Sequence, residues 1–91
     1  MEELGFSGHA RQMMAERDIS EDWVRQAVEA PDFHERGADA RGPVDYYWKR
    51  IQGMSGEVLK VTISASVTPR RVVTLHPDRA MRREMKRRGL L

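Results

Sequence analysis

The spacing of apolar positions changes partway along the chain. From Ala10 through Met13 and Met14 they recur three or four residues apart, the period of one helix face. Ser7 stands where an N-cap belongs, so a helix is predicted from there to about Arg17. Ser20 opens a second helix, with Glu21 and Asp22 in the first turn, where the helix dipole favours acids. Trp23, Val24, Ala27 and Val28 form its apolar side, and Pro31 ends it. Asp18 and Ile19 alone separate the two, which predicts a tight helical hairpin. From Pro31 to Pro43 no period is visible; with Gly37 and Gly42 inside it, this stretch reads as a mobile polar loop.

Beyond it the period shortens to two. Val44 to Gln52 carries Tyr46, Tyr47, Trp48 and Ile51. Glu57 to Ala65 alternates, with Leu59, Val61, Ile63 and Ala65 on one side and Lys60, Thr62 and Ser64 on the other. Arg70 to His76 sends Val73 and Leu75 one way and Val72, Thr74 and His76 the other. Short turns at 53–56 and 66–69 make these strands an antiparallel meander. Asp78 caps a last helix, Gly89 closes it, and Leu90 is expected against Met85. Its apolar side is narrow (Ala80, Met81, Met85), and Arg79, Arg82, Arg83, Lys86 and Arg87 occupy most of the rest.

The pattern predicts an α+β class: an N-terminal helical hairpin packed on a three-stranded, or four-stranded, antiparallel sheet, followed by a short basic C-terminal helix. One domain spanning 1–91 is expected, since 91 residues suffice for one core and not for two. One sheet face is apolar enough to lie under the helices. The other, with Lys60, Thr62, Ser64, Thr74 and His76, is polar and expected to be open to water. Tyr46, Trp48 and Arg50 join that open face if Tyr47 and Ile51 point inward; the opposite register puts Trp48 inward.

Composition narrows the function classes. Cysteine is absent, which removes disulfides and thiolate chemistry. No apolar run approaches the ~18–20 residues of a membrane span, and the first residues lack a signal-peptide layout, so a cytoplasmic location without membrane contact is expected. Net charge is +2, but it is split unevenly. Met1 to Trp48 holds 5 Arg against 11 Asp or Glu, or −6; Lys49 to Leu91 holds 11 Lys or Arg against 3 Asp or Glu, or +8. Such asymmetry suggests a nucleic-acid or acidic-protein partner for the basic half. Packing of the acidic helices near the basic segment is the intramolecular alternative.

A polar face with Lys, Thr, His and aromatic residues beside a basic helix has the makings of a single-stranded RNA platform, in which rings stack on bases and cations hold phosphates. His9 and His76 are the candidate acid and base, because imidazole both takes and gives a proton near neutral pH. Lys60, Arg71 and Arg17 are candidate cations for a pentacovalent phosphate. Lys49, Arg50, Arg79, Arg82, Arg83, Lys86 and Arg87 are candidate nucleic-acid contacts. Each has a plainer reading: His9 as a helix-start residue, His76 as a strand end before Pro77, Arg17 as a helix-end cap, the aromatics as core. The histidines lack metal-ligand spacing, so neither a metal nor a cofactor is expected.

Phe6-Ser7-Gly8-His9-Ala10, Met14, Glu16-Arg17-Asp18-Ile19-Ser20, Trp23-Val24, Ala27-Val28 and Pro31 resemble the opening of a small bacterial family of unknown function. Tyr47 to Ile51, Leu59-Lys60-Val61 and Val72 to Pro77 continue the likeness, which spans roughly Phe6 to Pro77. That family is similar to the RelE, ParE and BrnT toxins. The resemblance implies a RelE-like fold and the toxin half of a bacterial type II toxin–antitoxin pair. It would cleave RNA, on or off the ribosome, as a metal-independent endoribonuclease, with an acidic antitoxin as partner and a homo-oligomer as a further possibility. The alternative is a non-catalytic module of the same fold that engages nucleic acid or a protein, including a ParE-like inhibitor.

Overall fold

The computed structural model describes residues 3–91; Met1 and Glu2, the start of the expected domain, lie outside the described residues. It is an α+β fold in the order β1 (Gly5–Phe6), α1 (Gly8–Arg17), α2 (Glu21–Glu29), β2 (Phe33–Asp39), β3 (Gly42–Ile51), a 3₁₀ turn (Gln52–Met54), β4 (Glu57–Ser64), β5 (Arg71–Pro77) and α3 (Arg79–Arg87). The strands form one five-stranded mixed sheet in the order β1-β5-β4-β3-β2. β3, β4 and β5 are the expected meander.

Two strands correct the expectation. The polar stretch after Pro31 is not a free loop: Phe33–Asp39 pairs antiparallel along β3, with Phe33 opposite Trp48 and Asp39 opposite Gly42. Its side chains carry no apolar alternation because it is an edge strand held by its backbone ladder, and charge on an edge discourages further pairing. At the other edge, Gly5 and Phe6 pair parallel to Arg71 and Val72. The sheet is therefore neither three-stranded nor four-stranded, and it is not purely antiparallel.

The first two helices also depart from a hairpin packed as a unit. Ser7 caps α1 by accepting from the Ala10 N–H at 3.0 Å, and its own hydroxyl donates to the Val73 carbonyl at 3.1 Å. This bond ties the start of α1 to β5, and α1 packs on β5. Asp18 takes a left-handed conformation and turns the chain, Ser20 caps α2, and α2 lies over β3 and β4. The main core sits between: Ala10, Met14, Val24, Ala27 and Val28 meet Tyr47, Ile51, Leu59, Val61, Ile63, Val72 and Leu75. Register thus settles on Tyr47 and Ile51 inward.

The second sheet face is not left open. α3 packs on it, placing Met85 against Trp48 and Val58 with Met81, Phe33 and Tyr46 around them. A narrow apolar stripe on α3 suffices because the patch it covers is small. The expected ending is present: Gly89 has a positive φ of 75°, and the Leu90 N–H donates to the Met85 carbonyl at 2.8 Å. Among the described residues no helix is long and apolar enough to cross a membrane.

Candidate nucleic-acid interface and active site

Alternation places Trp48, Lys60 and His76 in one row across β3, β4 and β5, with Tyr46, Thr62 and Thr74 in the next row. The rings differ in what they offer. Trp48 is 4% exposed, sealed by α3, and its indole N–H donates to Asp78 at 3.0 Å, so it is a core residue rather than a stacking surface. Tyr46 is half-buried. Its ring lies over Gly37 of the edge strand, where a Cβ would sit 2.7 Å from Cε2, so only glycine lets the ring occupy that position. The Lys60 ammonium stands 4.7 Å from the Tyr46 centroid and 5.5 Å from that of Trp48. It has no carboxylate within ion-pair distance among the described residues. Two ring faces hold it in place.

His76 is half-buried beside it. Burial, and then the charge of Lys60, push its imidazole below the ordinary value; Asp78 opposes this, and Arg17 adds to it from the end of α1. Burial alone would raise the Asp78 carboxyl. Hydrogen bonds from the Met81 N–H and the Trp48 indole, with Lys60 and His76 nearby, hold it below its usual range instead. Asp78 thus does two jobs, capping α3 and anchoring Trp48.

Lys60 and His76 are thereby brought together, opposite each other on β4 and β5; Arg17, exposed at the end of the helix that packs on the other sheet face, adds only the smallest of the charge effects on His76. Other candidates stand apart. His9 is exposed near the start of α1, whereas the His76 environment includes the far end of that helix, about 12 Å further on at 1.5 Å per residue. Arg71 lies opposite Ser64, four residues along β4 from Lys60, roughly 13 Å at strand rise. Lys49 faces the helices: its ammonium donates to the Ala30 carbonyl at 2.8 Å and lies 3.9 Å from Asp32, joining the end of α2 to β3. Arg79 and Arg83 are exposed on α3, and Arg87 is paired with Glu84. Arg50, Arg82 and Lys86, with Leu91, line a half-open depression of about 180 Å³.

A second polar cluster sits on the helix-side face near the β2 edge. The Asp45 side chain is 7% exposed and accepts from Arg70 at 3.0 Å, with His34 Nε2 at 3.1 Å and Arg36 at 3.7 Å. Arg70 also donates to the Tyr47 hydroxyl at 2.9 Å, and His34 stacks flat on the Tyr47 ring at 4.5 Å. The sequence reading passed over this group. The available signal was an acid at 45 between Val44 and Tyr46, in the middle of a strand. Among the described residues no cluster of His, Asp or Glu is disposed to hold a metal ion.

No curated protein and no solved structure matched the chain. Residues 6–76 match the family described as a domain of unknown function, DUF4258. The matched span runs from β1 to His76 and stops before α3. The residues of the opening motif have visible work in the fold: Ser7 and Ser20 cap helices, while Ala10, Met14, Ile19, Val24, Ala27 and Val28 are buried. With more than half its length matched, the chain belongs to the DUF4258 family.

Proposed function

We propose that this domain binds single-stranded RNA on the sheet face beside α3 and cleaves it without a metal, as the toxin of a bacterial toxin–antitoxin pair. The observation that carries the reading is the cross-strand pair of His76 and Lys60, in which burial and a neighbouring cation favour the neutral imidazole a general base requires. His76 takes the proton of the 2′-hydroxyl as its oxygen bonds to phosphorus. The bond to the 5′-oxygen breaks, the Lys60 ammonium supplies the proton to that oxygen, and a 2′,3′-cyclic phosphate remains. Arg17, exposed at the end of α1, adds a weaker positive charge from beyond this face, and Tyr46 is the ring available for stacking.

The toxin assignment rests on the likeness to RelE-type toxins and on the uneven charge of the chain. The basic half, with α3 on the sheet, suits an acidic antitoxin that covers the same surface and so competes with RNA. The test is incubation of purified protein with RNA in chelator, with and without ribosomes. Cyclic-phosphate ends are expected, with at least a hundredfold loss of rate in His76→Gln and Lys60→Met. Uncut RNA under every condition sinks the catalytic reading.

One observation favours the non-catalytic alternative, including a ParE-like inhibitor. His9 stands away from the face, so a single imidazole serves it. On that reading His76→Gln retains whatever growth arrest the protein causes, and charge reversal at Arg82 and Lys86 abolishes it.

A further inference from the structure

Many arginines of this chain reach a carboxylate, Arg41 on Asp39 and Arg88 on Glu84 among them. The ion pairs among the described residues include none to Arg50, Arg82 or Lys86, yet these three converge on one depression. Arg82 and Lys86 are four residues apart on α3, a spacing at which like charges weaken a helix. The acid between them, Glu84, turns instead to Arg87 and Arg88. Arg50 comes from the inner strand β3, and its guanidinium packs against Gly56, where a Cβ would lie 3.1 Å from Nη2 and 3.2 Å from Nε. Gly56 also holds a positive φ of 76°, so the turn beside this guanidinium accommodates a side chain poorly. An arginine fork lying against a buried glycine turn and two cations on the facing helix, none of them in an ion pair among the described residues, break a local rule, as functional sites do.

We infer that this depression is a phosphate subsite. Three cationic donors approach from two elements, which suits a tetrahedral anion, and guanidinium forks bind pairs of phosphate oxygens. The lining has no aromatic ring, so it offers a nucleobase nothing to stack on. It excludes Lys60 and His76. Val58, the β4 partner of Arg50, is two residues from Lys60, about 7 Å along the strand. A phosphate held there belongs to a nucleotide other than the one being cut. The inference rests on the RNA reading for the source of that phosphate; the site itself does not.

The experiment follows the Nε–Hε resonances of Arg50 and Arg82 in the full protein during titration with inorganic phosphate, with a 2′-deoxy oligonucleotide, and with an acidic peptide. Saturable shifts with phosphate, displaced by the oligonucleotide, are expected. In the Arg50→Gln/Lys86→Gln variant, checked for an unchanged melting temperature, oligonucleotide affinity should fall about tenfold. The slope of log affinity against log salt should become shallower by about 0.7 for one lost contact. Linear shifts shared with Arg79 and Arg83 overturn the site. Preferential displacement of phosphate by the peptide overturns it in favour of a carboxylate partner. Saturation by phosphate with no competition from the oligonucleotide keeps the site and overturns its RNA source. Saturable shifts that persist in His76→Gln, or in a protein that cleaves nothing, support the subsite whatever becomes of the catalytic reading.

Discussion

A carboxylate taken out of water is costly unless each oxygen finds a donor, and Asp45 has Arg70 on one oxygen and His34 on the other. Asp45→Ala takes an acceptor from Arg70 and from His34, but both side chains retain some access to water. A loss of about 2 kcal/mol in urea unfolding is expected, below the limit for a fully buried pair. A change under about 0.5 kcal/mol would mean that the cluster is not held by this carboxylate. His76 makes a pH argument. Burial and Lys60 favour its neutral form in the folded state, so the unfolded chain binds that proton more readily. Its contribution to stability is complete above the ordinary value of 6.5 and is lost as pH falls through the lowered folded value. His76→Gln should therefore flatten the fall in stability on acidification. In Lys60→Met the His76 ring should titrate closer to its ordinary value by NMR, and an unmoved titration would show that the two charges do not sense each other.

Elements respond differently according to what holds them. α3 depends on Met85, 1% exposed between Trp48 and Val58. Met85→Ala should cost about 3 kcal/mol and shift Trp48 fluorescence to the red as the helix lifts. Unchanged emission with the same loss would place the damage elsewhere. The turn at Gln52–Met54 depends on a close approach: a Cβ on Gly53 would lie 2.5 Å from Trp23 Cζ2, so Gly53→Ala should cost about 1–3 kcal/mol in thermal or urea unfolding. The helices and the three inner strands were legible in the sequence because burial imposes a period, and the caps at Ser7, Ser20 and Asp78 were legible because they are local. The edge strands were not, since backbone pairing leaves no mark on side chains such as Glu35 and Arg36. Lys60 and His76 were visible as chemistry. Their pairing across β4 and β5 was not, because it depends on strand register, and the cover over Trp48 depended on a helix read mainly as charge.

Across the molecule, several cations are answered by carboxylates, while Arg50, Arg82 and Lys86 gather between α3 and the adjoining sheet face without one among the described residues. This predicts nucleic-acid affinity that falls steeply with salt, and Arg82→Gln should reduce that steepness more than Arg41→Gln, whose arginine is already paired with Asp39. Equal effects would mean that the charge is read diffusely. The contact between Ser7 and Val73 spans 66 positions, and the parallel pairing of Gly5 and Phe6 with Arg71 and Val72 has a similar reach. Loop-closure entropy must be met before either contact forms. During synthesis, α1 lacks its main docking partner until β5 has been made, because β5 is the strand it packs on. The N-terminal helix of the nascent chain is therefore expected to stay open to proteases until residue 77 has left the ribosome, and the domain to close in one late step rather than grow from its N-terminus.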